Sequence, residues 1–331
     1  MSTERHPLEN KPRLVGLDPE QQRSLNQTDL SHELALMCRA ATRAVADYLV
    51  KSRTVLDEST TELKSNVHDP VTPYDQATER ALAQILGSFI PGSRILGEEN
   101  GEEILPGREP SDLPAEVEAV EPNFHVDARS LASRIRWIVD PIDGTSNFAA
   151  GLTYFATSIA AELDGKVVAA SITAPVYDET FWANDTEGWL EIGNEFFALQ
   201  SGGVTKEEEA VLLTYFPTTS QLATDPKLAA EGHAMLAHAF RAVRRPGAAA
   251  LDLAQISAGR AGALFAATLK PWDVAAGDHL VRISGGTIQD RALGTDLPAG
   301  LRPAVAAASA GLEVPTLIEL LDKVEEQETR R

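Results

Sequence analysis

Apolar positions follow a helical period in some stretches of the chain and a strand period in others, and the switches between the two outline its elements. Leu34, Met37, Ala41, Val45, Tyr48 and Leu49 recur at helical spacing, which predicts one amphipathic helix from Leu30 to Ser52. Ala77, Ala81, Leu82, Ile85 and Phe89 predict a second from Tyr74 to Phe89, ended by Pro91-Gly92. Arg94 to Gly97 reads as a short strand that delivers Glu98 and Glu99, and Trp137-Ile138-Val139 as a short buried strand. Tyr154 to Glu162 and Lys166 to Ala174 flank Asp164-Gly165, the signal of a hairpin, with further strands at Phe181 to Ala183 and Gly188 to Leu190. Beyond them the pattern becomes α/β. A strand at Val211 to Thr214 is followed by a helix within Pro226 to Phe240 and an Ala-rich helix from Ala248 to Gly259. A strand at Gly262 to Phe265 leads to a helix from Val274 to Ile283 with a Gly285-Gly286 stop, and Thr316 to Glu328 is a charged amphipathic helix.

The periodicity divides the chain as well. Residues 1–28 show none and read as a flexible arm, 29–205 as an N-terminal α+β half, and 206–331 as a C-terminal α/β half. Residues 100–136, rich in Glu, Pro and Asp, read as an acidic surface insertion. The first residues are polar and carry Pro7, Pro12 and Pro19, with no apolar leader segment, and no run is long enough to cross a membrane. A cytoplasmic protein with no membrane partner is expected. Cys38 is the only cysteine, which excludes internal disulfides and thiolate metal clusters. The net charge of −20 argues against nucleic acid as a partner, because such binding needs a basic surface. The same field repels anionic substrates unless bound divalent cations dominate the local potential.

Candidate chemistry centres on Asp140-Pro141-Ile142-Asp143-Gly144-Thr145. Two carboxylates flank a proline at the end of an apolar strand, so both can converge while the Ile142 carbonyl points into the same space. These are hard oxygen donors, suited to Mg²⁺ rather than zinc or copper. Gly144-Thr145-Ser146-Asn147 then offers backbone amides at a turn or helix start, where a phosphate is received. The spacing alone equally fits a strand-to-turn junction with Asp143 as a helix cap. Glu98, Asp273 and Asp75, each alone, fit surface or capping acids as well as ligands. None of the seven histidines lies in these segments, and Ser146 has no base-bearing partner motif.

In order along the chain stand Lys64, Asp69-Pro70-Val71-Thr72-Pro73-Tyr74-Asp75, Gly97-Glu98-Glu99-Asn100, Trp137 to Phe148, Arg245-Pro246-Gly247-Ala248-Ala249-Ala250-Leu251-Asp252-Leu253 and Lys270-Pro271-Trp272-Asp273. From about residue 30 to residue 312 this set closely resembles the inositol monophosphatase family, lithium-sensitive and metal-dependent phosphatases. The resemblance implies a layered sandwich of alternating helices and sheets, and a homodimer. It implies that Glu98, Asp140, Asp143 and Asp273, with the Ile142 carbonyl, hold two or three Mg²⁺ ions. Thr145, paired with Asp75, orients a water that Glu98 helps to polarise. The amides of Gly144 and Thr145 grip phosphate, and Gly247, Ala248, Ala249 and Asp273 border the substrate. Lys64 supports the metal-side carboxylates.

The implied activity is hydrolysis of a small phosphate monoester, with inositol 1-phosphate as the default. Members selective for inositol carry an acid seven positions before the last aspartate, where this chain has Ala266, and a Ser or Thr where it has Ala248. Both changes remove polyol contacts, each worth about 1 kcal/mol or more. Fructose 1,6-bisphosphate, histidinol phosphate and 3′-phosphoadenosine 5′-phosphate therefore stay open, as does a non-catalytic binding protein on the same scaffold.

Overall fold

The computed structural model describes residues 30–55, 62–63, 70–107, 113–118, 120 and 128–329. Its principal helices are α1 (Leu30–Ala44), α2 (Ala46–Val55), α3 (Pro73–Phe89), α4 (Thr145–Ala149), α5 (Pro226–Ala239), α6 (Ala249–Ser257), α7 (Pro271–Ile283) and α8 (Pro315–Thr329). Strands β1 (Glu62–Leu63) and β2 (Pro70–Val71) form a small antiparallel pair. An eight-stranded sheet has the order β10-β9-β8-β7-β6-β5-β3-β4, with β3 (Arg94–Gly97), β4 (Gly101–Ile104), β5 (Ile135–Asp143), β6 (Ala156–Leu163), β7 (Lys166–Ala174), β8 (Glu179–Ala183), β9 (Gly188–Ile192) and β10 (Glu195–Ala198). Only β3 and β5 in it run parallel. A five-stranded mixed sheet has the order β12-β11-β13-β15-β14, with β11 (Val211–Thr214), β12 (Ala242–Arg244), β13 (Ala263–Ala266), β14 (Thr287–Arg291) and β15 (Ala304–Ala308).

Side-chain alternation along the strands assigns the layers. On β5, Trp137 and Val139 pack with Leu34, Met37, Ala41, Leu82 and Ile85 of α1 and α3. Ile138 points the other way, to Leu251 and Ala254 of α6 and to Ala275, Ala276 and Leu280 of α7. The opposite sides of α6 and α7, at Leu253, Ile256, Val274 and Val281, cover Leu213, Leu264, Val305 and Ala307 of the second sheet. Its far face meets Leu236 of α5 and Leu317, Leu320 and Leu321 of α8. The architecture is helix–sheet–helix–sheet–helix, the layered mixed fold expected. Small residues make the middle layer thin: a Cβ on Gly277 would stand 2.4 Å from Leu253 Cβ, so α6 and α7 lie nearly backbone to backbone.

Several boundaries differ from the sequence pattern. The single helix expected from Leu30 to Ser52 is broken at Val45 into α1 and α2. The strand expected at Trp137 to Val139 runs nine residues and carries Pro141 within it; its pairing with β6 shifts between Asp140 and Asp143, so the turn is a bulge in a strand. Part of the expected surface insertion is sheet, since β4 pairs with β3 and β5 begins at Ile135. The arm at residues 1–28 lies outside the described residues. None of the described helices is long and apolar enough to cross a membrane.

Candidate active site

The C-terminal end of β5 meets the N-termini of α3, α6 and α7, and the acids singled out in the sequence are brought there from four separate segments. On α3, Thr72 caps the helix and Asp75 returns the bond, its Oδ2 accepting from the Thr72 amide and hydroxyl at 2.7 Å each. This confirms Asp75 as a helix-start acid, and leaves its other oxygen for a second task. Thr145 Oγ1 lies 3.0 Å from Asp75 Oδ1 and 3.0 Å from the Ile142 carbonyl oxygen, and its one proton can serve only one of them at a time.

Asp140 is 2 % exposed, and its Oδ1 accepts the Ile142 amide at 3.0 Å. Burial, followed by the charges of Glu98, Asp143 and Asp273 and a hydrogen bond with the Glu98 carboxyl, holds the Asp140 carboxyl well above the usual range. Asp143 does cap a helix, although a distant one. Its Oδ1 and Oδ2 accept from the amides of Ala249 and Leu251 at 2.7 and 2.8 Å, at the start of α6. Burial still outweighs those amides and, with the Asp273 charge, pushes its carboxyl up. Asp273 stands in the first turn of α7 and accepts the Lys270 amide at 2.7 Å.

Gly144 makes the junction possible. Its φ of 91° lies in the left-handed region, and an added Cβ would stand 3.0 Å from both Ala248 Cβ and the Gly247 carbonyl oxygen. Asn147 Nδ2 bridges the two segments, donating to the carbonyls of Tyr154 at 2.7 Å and Pro246 at 2.9 Å. Ala248 is buried, and the Ala249 amide is committed to Asp143. Ala266 is fully buried in β13 and presents no polar atom beyond its backbone. Lys64, Asp69 and His68 lie outside the described residues. His279, on the same helix as Asp273, is buried with its Nε2 2.7 Å from the Asn184 carbonyl oxygen.

Two acids that support this centre escaped the sequence reading. Glu79, one helical turn after Asp75, is 2 % exposed and receives the amides of Glu99 and Asn100 and the Asn100 side chain, all at 2.8 Å. It pins the turn that carries Glu98. Its signal was an acid at i+4 on the buried face of α3. Asp252, fully buried on α6, receives the hydroxyls of Tyr154 and Tyr215 at 2.6 Å each. Burial raises its carboxyl to about 7. A lone acid inside an Ala-Leu run was the available signal.

The family model for the inositol monophosphatase family matches residues 29–326. The chain belongs to this family. A relative from Pasteurella multocida named Nus factor SuhB is 32% identical over 259 residues, 78% of this chain and 84% of that protein. Among solved structures, the extragenic suppressor protein SuhB of Bartonella henselae is 26% identical with a TM-score of 0.64, covering 90% of this chain and 97% of that one. Mycobacterium tuberculosis SuhB is likewise 26% identical, with a TM-score of 0.63, covering 89% of this chain and 96% of that one. Inositol monophosphatase family members are generally Mg²⁺-dependent. The residues of this chain fit such an ion: the donors are carboxylate and carbonyl oxygens, with Asp140 and Asp143 buried and Glu98 and Asp273 half-buried, and crowded enough that their charges oppose one another. Among the described residues they form no ready-made cage; they lean instead on backbone amides and, at Glu98 and Asp140, on each other.

Proposed function

We propose that the chain hydrolyses a small phosphate monoester with Mg²⁺. The observation that carries this reading is the crowding of buried Asp140 and Asp143 with half-buried Glu98 and Asp273, beside the Thr145–Asp75 contact. Glu98, Asp140, Asp143, Asp273 and the Ile142 carbonyl would hold the ions, two or three by family resemblance. Bound there, Mg²⁺ supplies a water of lowered pKa and neutralises charge on the phosphoryl oxygens. Asp75 takes the Thr145 proton in a hydrogen bond, so that the hydroxyl's lone pairs are aimed at the attacking water. The amides of Gly144 and Thr145, which make no hydrogen bond within the described chain, receive phosphate oxygens. Gly247 and Ala248 border the departing alcohol. The seat beside them is poor in polar groups at Ala248 and Ala266, so the alcohol is selected by shape more than by hydroxyl contacts.

Inositol 1-phosphate, fructose 1,6-bisphosphate, histidinol phosphate and 3′-phosphoadenosine 5′-phosphate, each incubated with Mg²⁺ and assayed for free phosphate, test the reading. Turnover of at least one, abolished by chelation and by Asp140→Asn, is expected. Turnover that survives Asp140→Asn would overturn the site assignment. A homodimer and a cytoplasmic location belong to the same reading; exposed Leu152 and Tyr177, 55% and 43% accessible, are suited to a subunit contact. The relatives' name, Nus factor, favours a second reading in which the scaffold serves a partner without hydrolysis. A silent panel with Mg²⁺ bound would select that reading.

A further inference from the structure

We infer that Ser158 is a positioning residue for the Asp140 carboxylate when the acidic centre is loaded with a cation. The inference rests on the metal-site reading above. In the antiparallel pairing of β5 with β6, Ser158 stands directly opposite Asp140. The flanking residues Ile138 and Ala160 pack toward α6 and α7, which puts the side chains of Asp140 and Ser158 side by side on that same face. Directly opposed residues have Cβ atoms about 4.5–5.5 Å apart, within reach of a carboxylate–hydroxyl bond.

The Ser158 hydroxyl is 1 % exposed and has no hydrogen-bond partner. Its neighbours on the sheet are satisfied: Thr157 Oγ1 donates to the Pro141 carbonyl at 3.0 Å, and Thr173 Oγ1 to Thr42 Oγ1 at 2.8 Å. An unpaired buried hydroxyl costs free energy that an alanine would not. Asp140 leans on the Ile142 amide and on Glu98. A carboxylate that ligates a cation is oriented by its own hydrogen bonds, and Glu98, as a second ligand, is no longer free to supply one. Besides the Ile142 amide, the Ser158 hydroxyl stands beside Asp140 as an uncommitted donor.

The two states then respond to Ser158→Ala in opposite senses. Without metal, the variant is expected to melt at the wild-type temperature or above it, because an unsatisfied group has been removed. Mn²⁺ binding, followed by electron paramagnetic resonance, is expected to weaken about tenfold, the scale of losing an outer hydrogen bond to a metal ligand. KM for the phosphate ester at saturating metal stays unchanged. Ser158→Cys fills the same space with a much weaker donor and is expected to weaken Mn²⁺ binding as well. Wild-type Mn²⁺ affinity in Ser158→Ala, or full affinity in Ser158→Cys, would overturn the proposal. So would a metal-free melting temperature that falls in Ser158→Ala together with affinity, which marks a packing role. A wild-type chain that binds no Mn²⁺ sinks the metal-site reading itself, a separate outcome.

Discussion

Buried carboxylates occur in two settings within a short span of this molecule. Glu79 and Asp252 sit in shells of donors: three N–H groups at 2.8 Å around one, two tyrosine hydroxyls at 2.6 Å around the other. Asp140 sits among its own kind, one oxygen on the Ile142 amide and the charges of Glu98, Asp143 and Asp273 around it. Asp143 is intermediate, held by two amides yet facing Asp273. A buried acid that serves structure is completed by the chain. One completed only by like charges calls for a cation from outside. The difference separates architecture from chemistry more sharply than burial alone, since all four are buried.

The largest test strikes the incomplete set. Asp140→Asn keeps the shape and removes one charge from the crowd. Hydrolysis of the preferred ester is expected to fall on the order of 1000-fold in kcat/KM, about 4 kcal/mol of transition-state stabilisation. The same variant without metal is expected to be more stable than wild type at neutral pH, because the folded state no longer resists an ionisation that the unfolded chain completes freely. Loss of activity accompanied by loss of metal-free stability would place Asp140 with the structural acids.

Asp252 breaks the comparison from the other side. Burial raises its carboxyl to about 7 despite the two tyrosine hydroxyls, so the folded state keeps a proton that the unfolded chain gives up near pH 4. Wild-type stability therefore carries a cost that grows as pH rises from about 4 to about 7 and then levels. Asp252→Asn, whose amide can accept from one tyrosine and donate to the other, has no such cost. The gap between variant and wild type, from urea midpoints without metal, is expected to widen across that window by on the order of 2–4 kcal/mol in favour of asparagine. A gap that is constant with pH would show that the clamp holds Asp252 ionised throughout.

Most of the incomplete set was legible in the sequence, and little of the complete one. Glu98, Asp140, Asp143 and Asp273 stand beside glycine, proline or tryptophan in short motifs, so local chain geometry and family resemblance both point to them. The partners of Asp143 are 106 and 108 residues away, and Asp252 meets Tyr154 across 98 residues. No local period carries such contacts. The strand around Pro141 failed for a related reason. Proline is read as a turn signal, but here the irregular pairing between Asp140 and Asp143 lets a strand pass through it. The layered fold was recoverable because each helix and strand shows its own apolar face, whereas the break at Val45 occurs within an uninterrupted apolar pattern.

Glu79 offers the smallest and most discriminating effect, because it is a complete acid in the service of an incomplete one. Its carboxylate fills the space against Gly97 so closely that a Cβ there would stand 2.4 Å from it, and it holds the two amides that follow Glu98. Glu79→Ala strands those donors in a partly exposed turn, which is expected to cost about 1 kcal/mol in a urea titration. Because Glu98 rides on that turn, Mn²⁺ affinity is expected to drop severalfold. Gly97→Ala should reproduce the metal defect by pushing the same carboxylate out of place. If both variants lose stability and keep wild-type Mn²⁺ affinity, Glu98 is positioned without Glu79, and the two settings of buried acid in this protein are independent of each other.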